Sequence, residues 1–251
     1  MRALVTGAAG FIGSNLCLEL QRLGHETVAL DDFSVGVFGN LKDFRNDVVA
    51  ADLRKPQDWQ TRVGRVDIVF HQAAITDTTV TDQKLMMDVN VEAFRSLLEW
   101  AAKNQVKKVI YASSAGVYGD RPVPQRETDQ PNPLNVYAFS KMVMEAVARD
   151  FQRTHKEMIV VGLRYFNVFG PRESHKGKAA SMIWQLACQM KEGRRPRVFE
   201  FGEQYRDFIY IADVLRANLA AVEADAGGVY NVCTGKKATF NDMIDCLNGA
   251  L

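Results

Sequence analysis

The chain has 251 residues, enough for one large α/β domain or a domain with a smaller lobe. Its 47% apolar content suits a soluble globular protein, and a net charge of +1 from interspersed acids and bases suggests neither nucleic-acid nor membrane partners. No apolar run approaches the ~18 residues of a membrane span, and the scattered cysteines (Cys17, Cys188, Cys233, Cys246) and histidines (His25, His71, His155, His175) lack metal-ligand spacing, so a cytoplasmic protein without a metal is expected.

The first element, in "MRALVTG", is a strand over Ala3–Val5 with no signal peptide expected ahead of it. Further apolar runs follow at Thr27–Leu30, Val48–Ala50, Asp67–His71, Val109–Ala112 and Ile159–Leu163. They carry almost no polar alternation, as strands covered on both faces do. Helical patterns lie between them: Ile12, Leu16 and Leu20 stopped by Gly24, then Val89–Ala102 and Val136–Arg153. Strand and helix in alternation mean βαβ units and a doubly wound parallel sheet. After about Gly170 the rhythm changes. A basic loop, "GPRESHKGK", leads to a helix from about Ala179 to Glu192, then "RVFEF", "RDFIYI", a helix near Ala212, "VYNVC" and a last helix from Thr239. The expected organisation is a dinucleotide-binding domain over 1–170 and a smaller, interleaved lobe over 171–251 laid on the ligand edge of the sheet.

The first strand runs into "TGAAGFIG", with Gly7, Gly10 and Gly13 at three-residue spacing. This is a variant of the Rossmann Gly-x-Gly-x-x-Gly turn with its first interval one residue longer. Small residues there let the backbone approach a pyrophosphate, whose charge meets a helix N-terminus. The second strand ends in Asp31, about twenty residues on, where an acid accepts hydrogen bonds from the adenosine ribose. A solvated turn acid is the alternative for Asp31 or Asp32. Asp52, after the third strand, would face the adenine.

"YASSAGVYGD" sets Ser113 and Ser114 where the fifth strand runs out, the edge at which open α/β sheets bind ligands. Either hydroxyl can instead serve the turn. In "NVYAFSK", Asn135 reads as an N-cap, and Tyr137 and Lys141 stand four residues apart on one helical face. An amphipathic pair is the alternative. Behind a dinucleotide turn the pair acquires a chemistry. Hydride transfer involving a sugar alcohol needs a group that exchanges the hydroxyl proton in step. A tyrosine of pKa ~10 would have to fall by ~3 units, roughly 4 kcal/mol, to share its proton evenly at neutral pH. The Lys141 ammonium and a nicotinamide ring both act in that direction. Ser114 would hold the same substrate oxygen, leaving Ser113 to the turn.

These residues, with "HQAA" and Asn90 in "DVN", resemble the extended short-chain dehydrogenases/reductases, and more narrowly the nucleotide-sugar epimerases and dehydratases. The resemblance spans the chain, from "VTGAAGFIGSN" through "RYFNVFGP" to "YRDFIYIADV" and "VYNVCTG". It implies NAD, with NADP as the alternative, held by Gly7, Gly10, Phe11, Ile12, Gly13, Asp31, Asp32, Asp52, Leu53, Ala73, Asn90, Tyr137 and Lys141. It also implies a sugar nucleotide faced by Thr78, Asn167 and Arg206, and assembly with further copies of the chain. Sugar 4,6-dehydratases carry an Asp-Glu pair directly before the Val-Tyr-Gly turn. Here Ala115 and Gly116 stand there and cannot move protons, which leaves the epimerases.

"HQAAITDTTVTDQKLMMDVN" and "RYFNVFGPRESHKGKAAS" resemble the ADP-glyceromanno-heptose 6-epimerases. These invert an exocyclic alcohol through a transient carbonyl, with a proton carrier on each side; the resemblance gives those roles to Tyr137 and Lys176. A solvated lysine or a phosphate contact is the alternative for Lys176, with Arg172 and Lys178 as its competitors. The second reading is a nucleotide-sugar 4-epimerase, which needs Tyr137 alone, and the third a dinucleotide sensor without turnover. Relatives continue well past the last helix, so a C-terminally shortened chain is expected, and the nucleotide base cannot be read.

Overall fold

The computed structural model describes residues 1–251, the Glu200 side chain excepted. Seven parallel strands form the main sheet: β1 (Arg2–Thr6), β2 (Glu26–Asp31), β3 (Asp47–Ala50), β4 (Ile68–His71), β5 (Lys108–Ser114), β6 (Ile159–Tyr165) and β10 (Gly228–Val232). Their order is β10-β6-β5-β4-β1-β2-β3, each adjacent pair parallel. The order reverses between β1 and β4, which opens a cleft beyond their carboxyl ends.

β1, β2 and β4–β6 are apolar because both faces are covered; β3, at the sheet edge, buries Val49 and leaves Val48 and Ala50 exposed, contrary to its expected double cover. On one face Leu4, Val28, Leu30, Val69, Val109, Tyr111 and Val160 pack under α2 (Pro56–Val63), α4 (Ala93–Lys103) and α5 (Val136–Thr154), through Trp59, Phe94, Leu97, Trp100, Met144 and Val147. On the other, Ala3, Val5, Ala29, Phe70, Ile110, Val161 and Leu163 pack under α1 (Phe11–Arg22) and α7 (Ile211–Val222).

The helix expected over Val89–Ala102 begins earlier and is broken. A short α3 (Gln83–Met87), capped by the Asp82 carboxylate, runs into a π-turn over Asp88–Glu92 before α4. The extra residue in that turn directs Asn90 into the interior.

Beyond Gly170 the chain forms β7 (Asn167–Phe169) paired with β9 (Phe208–Tyr210), and β8 (Tyr205–Arg206) paired with β11 (Ala238–Thr239). "RVFEF" gives no strand. The helix expected from Ala179 is α6 (Met182–Lys191), capped by the Ser181 hydroxyl, with a 3-10 segment at Ser174–Ala179 before it. Thr239 and Asp242 form a capping box for α8 (Phe240–Ala250). Leu186, Phe240 and Met243 make a small separate core between α6 and α8, while α7 and β10 return to the main sheet. No helix among the described residues is long and apolar enough to cross a membrane.

One core residue carries a pH signature. His71 is buried at the end of β4, its Nδ1 2.8 Å from the Thr6 hydroxyl and its ring stacked on Phe94. Burial, with the Lys141 ammonium adding to it, pushes the imidazole down from 6.5 to about 3. Between these values the unfolded chain binds a proton that the folded chain refuses, so stability falls as pH falls, by up to about 1.4 kcal/mol per pH unit. Denaturant unfolding of the parent and of His71→Leu, compared at pH 6.5 and below, checks this: the variant should lose most of that slope. An equal slope in both would assign the acid sensitivity to carboxylates.

Candidate active site

β1 ends at the glycine turn, and each glycine there has a distinct reason. Gly7 sits at φ +65°, and a Cβ on it would meet the Ala73 backbone within 3 Å. A Cβ on Gly13 would collide with the Gly7 carbonyl, so α1 can approach the strand only with glycine at this position. Gly10 is the N-cap residue of α1, with no side-chain cap and no acid in the first turn, so the amide end of the helix keeps its partial positive charge for an anion. A cavity opens there. Of the expected cofactor contacts, Gly7, Gly10, Phe11, Ile12, Gly13, Asp31, Asp32, Asp52, Leu53 and Ala73 all line it.

Asp31 is 7% exposed, its Oδ2 accepting from the Ala9 N–H and its Oδ1 from the Phe33 N–H, both at 2.8 Å. Burial raises its pKa while those two donors pull it back. Each oxygen retains a second lone pair for a ribose hydroxyl. Asp32 is exposed and accepts from Ser34. Asp52 is ion-paired with Arg54 (Oδ2–Nη2 2.7 Å), whose hydrogen bond holds the carboxyl below its usual range.

Asn90 belongs behind the wall rather than in it. Its Oδ1 accepts from Ile75 N (2.8 Å), and its amide donates to Ile75 O (3.1 Å) and the Ser140 hydroxyl (2.9 Å). It therefore fixes the Ala73–Ile75 segment, which does line the cavity.

A second cluster stands at the carboxyl end of β5. The Asn135 side chain accepts from Ala138 N and starts α5, as its sequence position suggested. Tyr137 is half-buried there, and the Ser114 hydroxyl pulls its phenol toward a lower pKa. Lys141 is 1% exposed, its Nζ donating to the Ala112 carbonyl (2.8 Å) and lying 5.8 Å from the Tyr137 ring centroid.

Two expectations are corrected here. The Tyr137 phenol is raised by burial rather than lowered; the Ser114 hydroxyl offsets this only in part, while the Lys141 ammonium is directed to a carbonyl. Burial also brings Lys141 itself down to about 7, against a pull upward from Glu145. Ser113, in turn, does not serve the turn. Ser114 does, accepting from Gly116 N at 3.0 Å, whereas Ser113 donates to Glu145 at 2.5 Å.

Lys176 is placed in the wall of the first cavity. Its ammonium lies 5.9 Å from the Phe11 ring, and burial lowers its pKa against the opposing charge of Glu173. Glu173 is buried and ties both ends of this loop, accepting from Gly170 N and from Ser181 N and Oγ. Arg172 reaches Asn15, and Lys178 is exposed. Of the expected substrate contacts, Asn167 lies beside the Arg206–Asp207 segment. Thr78 sits on an exposed turn, the Asn167 amide donates to Asp207 O (2.8 Å), and exposed Arg206 donates to Tyr205 O (2.7 Å).

Arg54, His175, Thr76 and Gly36 line the cavity and were not anticipated. Gly36 had a legible signal, a glycine shortly after the second strand; a Cβ there would press on Ala9 and Asp31. The donor set fits NAD: an uncapped helix N-terminus for the pyrophosphate, Asp31 for the ribose, and Tyr137 and Lys141 at the far end of the same sheet edge. Among the described residues no group of three His, Cys, Asp or Glu is placed to hold a metal.

Comparison with known proteins agrees with this geometry. The chain is 39% identical to ADP-L-glycero-D-manno-heptose-6-epimerase of Alkalilimnicola ehrlichii, over 96% of this chain and 78% of that protein. It superposes on the Helicobacter pylori ADP-L-glycero-D-manno-heptose-6-epimerase with a TM-score of 0.92 at 44% identity, covering 99% of this chain and 81% of that one. The Thermotoga maritima UDP-glucose 4-epimerase, solved with UDP-glucose, gives 0.92 at 32% identity over 99% and 82%. The Thermus thermophilus UDP-glucose 4-epimerase, solved with NAD, gives 0.88 at 32% over 100% and 83%. Residues 3–233 match the NAD dependent epimerase/dehydratase family, and to that family the chain belongs.

Proposed function

We propose that the protein is an NAD-dependent nucleotide-sugar epimerase that inverts the exocyclic carbon 6 of an ADP-activated heptose. The observation that carries the choice of substrate is the 44% identity across 99% of the chain to a heptose 6-epimerase, against 32% for 4-epimerases of equal structural similarity. Residues 1–170 supply most of the cofactor site, to which His175 and Lys176 of the interleaved 171–251 lobe contribute, with Thr78, Asn167 and Arg206 assigned to the substrate side. The four free cysteines fit a reducing compartment, the cytoplasm. Exposed Leu134 and Phe139, beside Met87 and Pro133, offer apolar area for assembly with further copies.

Bound NAD would supply the hydride acceptor and donor. The rest is the work of this chain. Gly7, Gly10 and Gly13 admit the pyrophosphate to the α1 N-terminus, and Asp31 takes the ribose. Ser114 and Tyr137 bind the reacting hydroxyl, and Tyr137 holds its proton while the sugar is a carbonyl. Lys141 stands behind the Tyr137 ring, where an ammonium favours the phenolate that proton exchange needs. Lys176, with its lowered pKa, serves as carrier for the opposite face. A 4-epimerase is the second reading, favoured by one observation: the Thermotoga maritima 4-epimerase matches this chain with the same TM-score of 0.92 as the heptose 6-epimerase. Turnover of ADP-heptose measured beside UDP- and GDP-sugars tests the choice. Inversion of a UDP-hexose alone would reverse it.

NAD should bind more tightly than NADP. Asp31 would repel a 2′-phosphate, and Arg54, which also lines the cavity, is already paired with Asp52. Titration with both oxidised cofactors checks this, and clearly tighter NADP binding would show that Arg54 leaves its partner.

A further inference from the structure

A buried charge network lies behind the Tyr137–Lys141 pair, and nothing in the proposed reaction uses it. Tyr137, Lys141 and Glu145 follow one another at four-residue intervals along one face of α5. Glu145 is 5% exposed. Its Oε1 accepts from the Ser113 hydroxyl (2.5 Å) and Arg164 Nε (2.8 Å), and its Oε2 from Arg164 Nη2 (2.7 Å). Ser113 and Arg164 are register partners on β5 and β6, so the carboxylate pins α5 to the two strands whose ends carry the site. Arg164 continues the chain to the Tyr118 hydroxyl (2.8 Å), which donates to Asn231 on β10 (2.7 Å).

We propose that Glu145 is a positioning residue for Lys141, its carboxylate keeping the buried ammonium charged and facing the cofactor and Tyr137.

Two arguments favour this over a purely structural role. A buried Arg–Glu pair is a poor source of stability, since apolar residues of like volume do as well. Moreover, the groups around Lys141 leave Glu145 as the acid that stabilises its charge. His71 on β4 and Tyr111 on β5 are buried and neutral, Tyr137 holds its proton, and Arg164 is a cation spent on Glu145. Arg149 on α5 is exposed beyond Glu145. Burial alone drives Lys141 toward the neutral amine, and Glu145 is the charge opposing it. A neutral amine would neither donate as strongly to a ribose hydroxyl nor ease ionisation of the phenol.

The inference rests on NAD occupying this site, not on the sugar chosen above, so its test needs no sugar nucleotide. NAD affinity is measured against pH for the parent, Glu145→Gln and Glu145→Asp. In the parent, binding should weaken as pH rises through the titration of Lys141. In Glu145→Gln the weakening should begin about one pH unit or more lower, the effect of losing a near opposite charge. At acid pH, with Lys141 charged in both, affinities should agree within a few-fold. Glu145→Asp should restore the parental profile in part. Arg164→Gln leaves the Glu145 charge uncompensated and should move the profile to higher pH, which keeps the inference testable if Glu145→Gln does not fold. An unshifted profile, a loss of NAD equal at every pH, or a shift of both variants in the same direction would overturn it. Absence of turnover on every sugar tried would leave these binding profiles intact and count against the epimerase reading only.

Discussion

Replacing Tyr137 with Phe is expected to lower epimerisation ~10²–10⁴-fold, the range that a positioned acid–base group contributes. The substitution removes one oxygen and little else. The ring stands in the first turn of α5, which Asn135 starts through the Ala138 amide, so helix and ring packing should persist. Ser114 is held independently of the phenol, its oxygen accepting from Gly116 N. NAD affinity should remain within a few-fold, since Gly7, Gly10, Gly13, Asp31 and Lys141 are untouched. Steady-state kinetics beside an NAD titration reads both quantities. Turnover near the parental rate would remove Tyr137 from the chemistry; loss of cofactor with turnover would give it a structural role instead.

The features legible in the sequence were those with a local physical cause. An apolar run buried on both faces needs no distant partner to be recognised, so β1, β2 and β4–β6 could be read directly. The glycine turn announces itself because the spacing of Gly7, Gly10 and Gly13 is local and Gly13 packs on Gly7 itself, although Gly7 also makes room for the distant Ala73. Asn135 could be identified as a cap from its own position. The remainder depends on contacts between segments far apart. Glu145 reads as one more acid on an amphipathic helix until Ser113, 32 residues away, and Arg164, 19 away, close on it. The family resemblance makes Asn90 a cofactor contact but carries no information on its neighbours here. The π-turn and Ile75 show that it braces the wall. The strands of the second lobe, of two or three residues each, are too short for a periodic signal. The direction of the Tyr137 shift was missed for the same reason: burial and the Ala112 carbonyl that takes Lys141 are tertiary facts.

The substitution that divides the two epimerase readings is Lys176→Met, which keeps the apolar stem and removes the ammonium. If carbon 6 is inverted between two carriers, Tyr137 handles the proton on one face and Lys176 on the other. Inversion of an ADP-heptose should then fall ~10²–10⁴-fold in kcat, as for the loss of any positioned proton carrier. One half-reaction should survive at the tyrosine side, seen as slow reduction of bound NAD or as disproportionation of an aldehyde analogue by a single stereochemical course. If the sugar instead turns over in front of Tyr137 alone, KM should rise with kcat little changed. The position of Lys176 adds a third measurement. Its ammonium lies beside Phe11 in the wall of the dinucleotide cavity, so the variant's affinity for NAD reports whether it serves the cofactor. Unchanged NAD affinity with a collapsed kcat requires the Ser174–Ala179 segment to carry Lys176 to the substrate when the site is filled. Gly177, at φ +54° with open space around it, gives that segment a place to turn. A kcat within a few-fold of the parent, with NAD affinity reduced, would make Lys176 a cofactor ligand and leave Tyr137 as the one proton carrier.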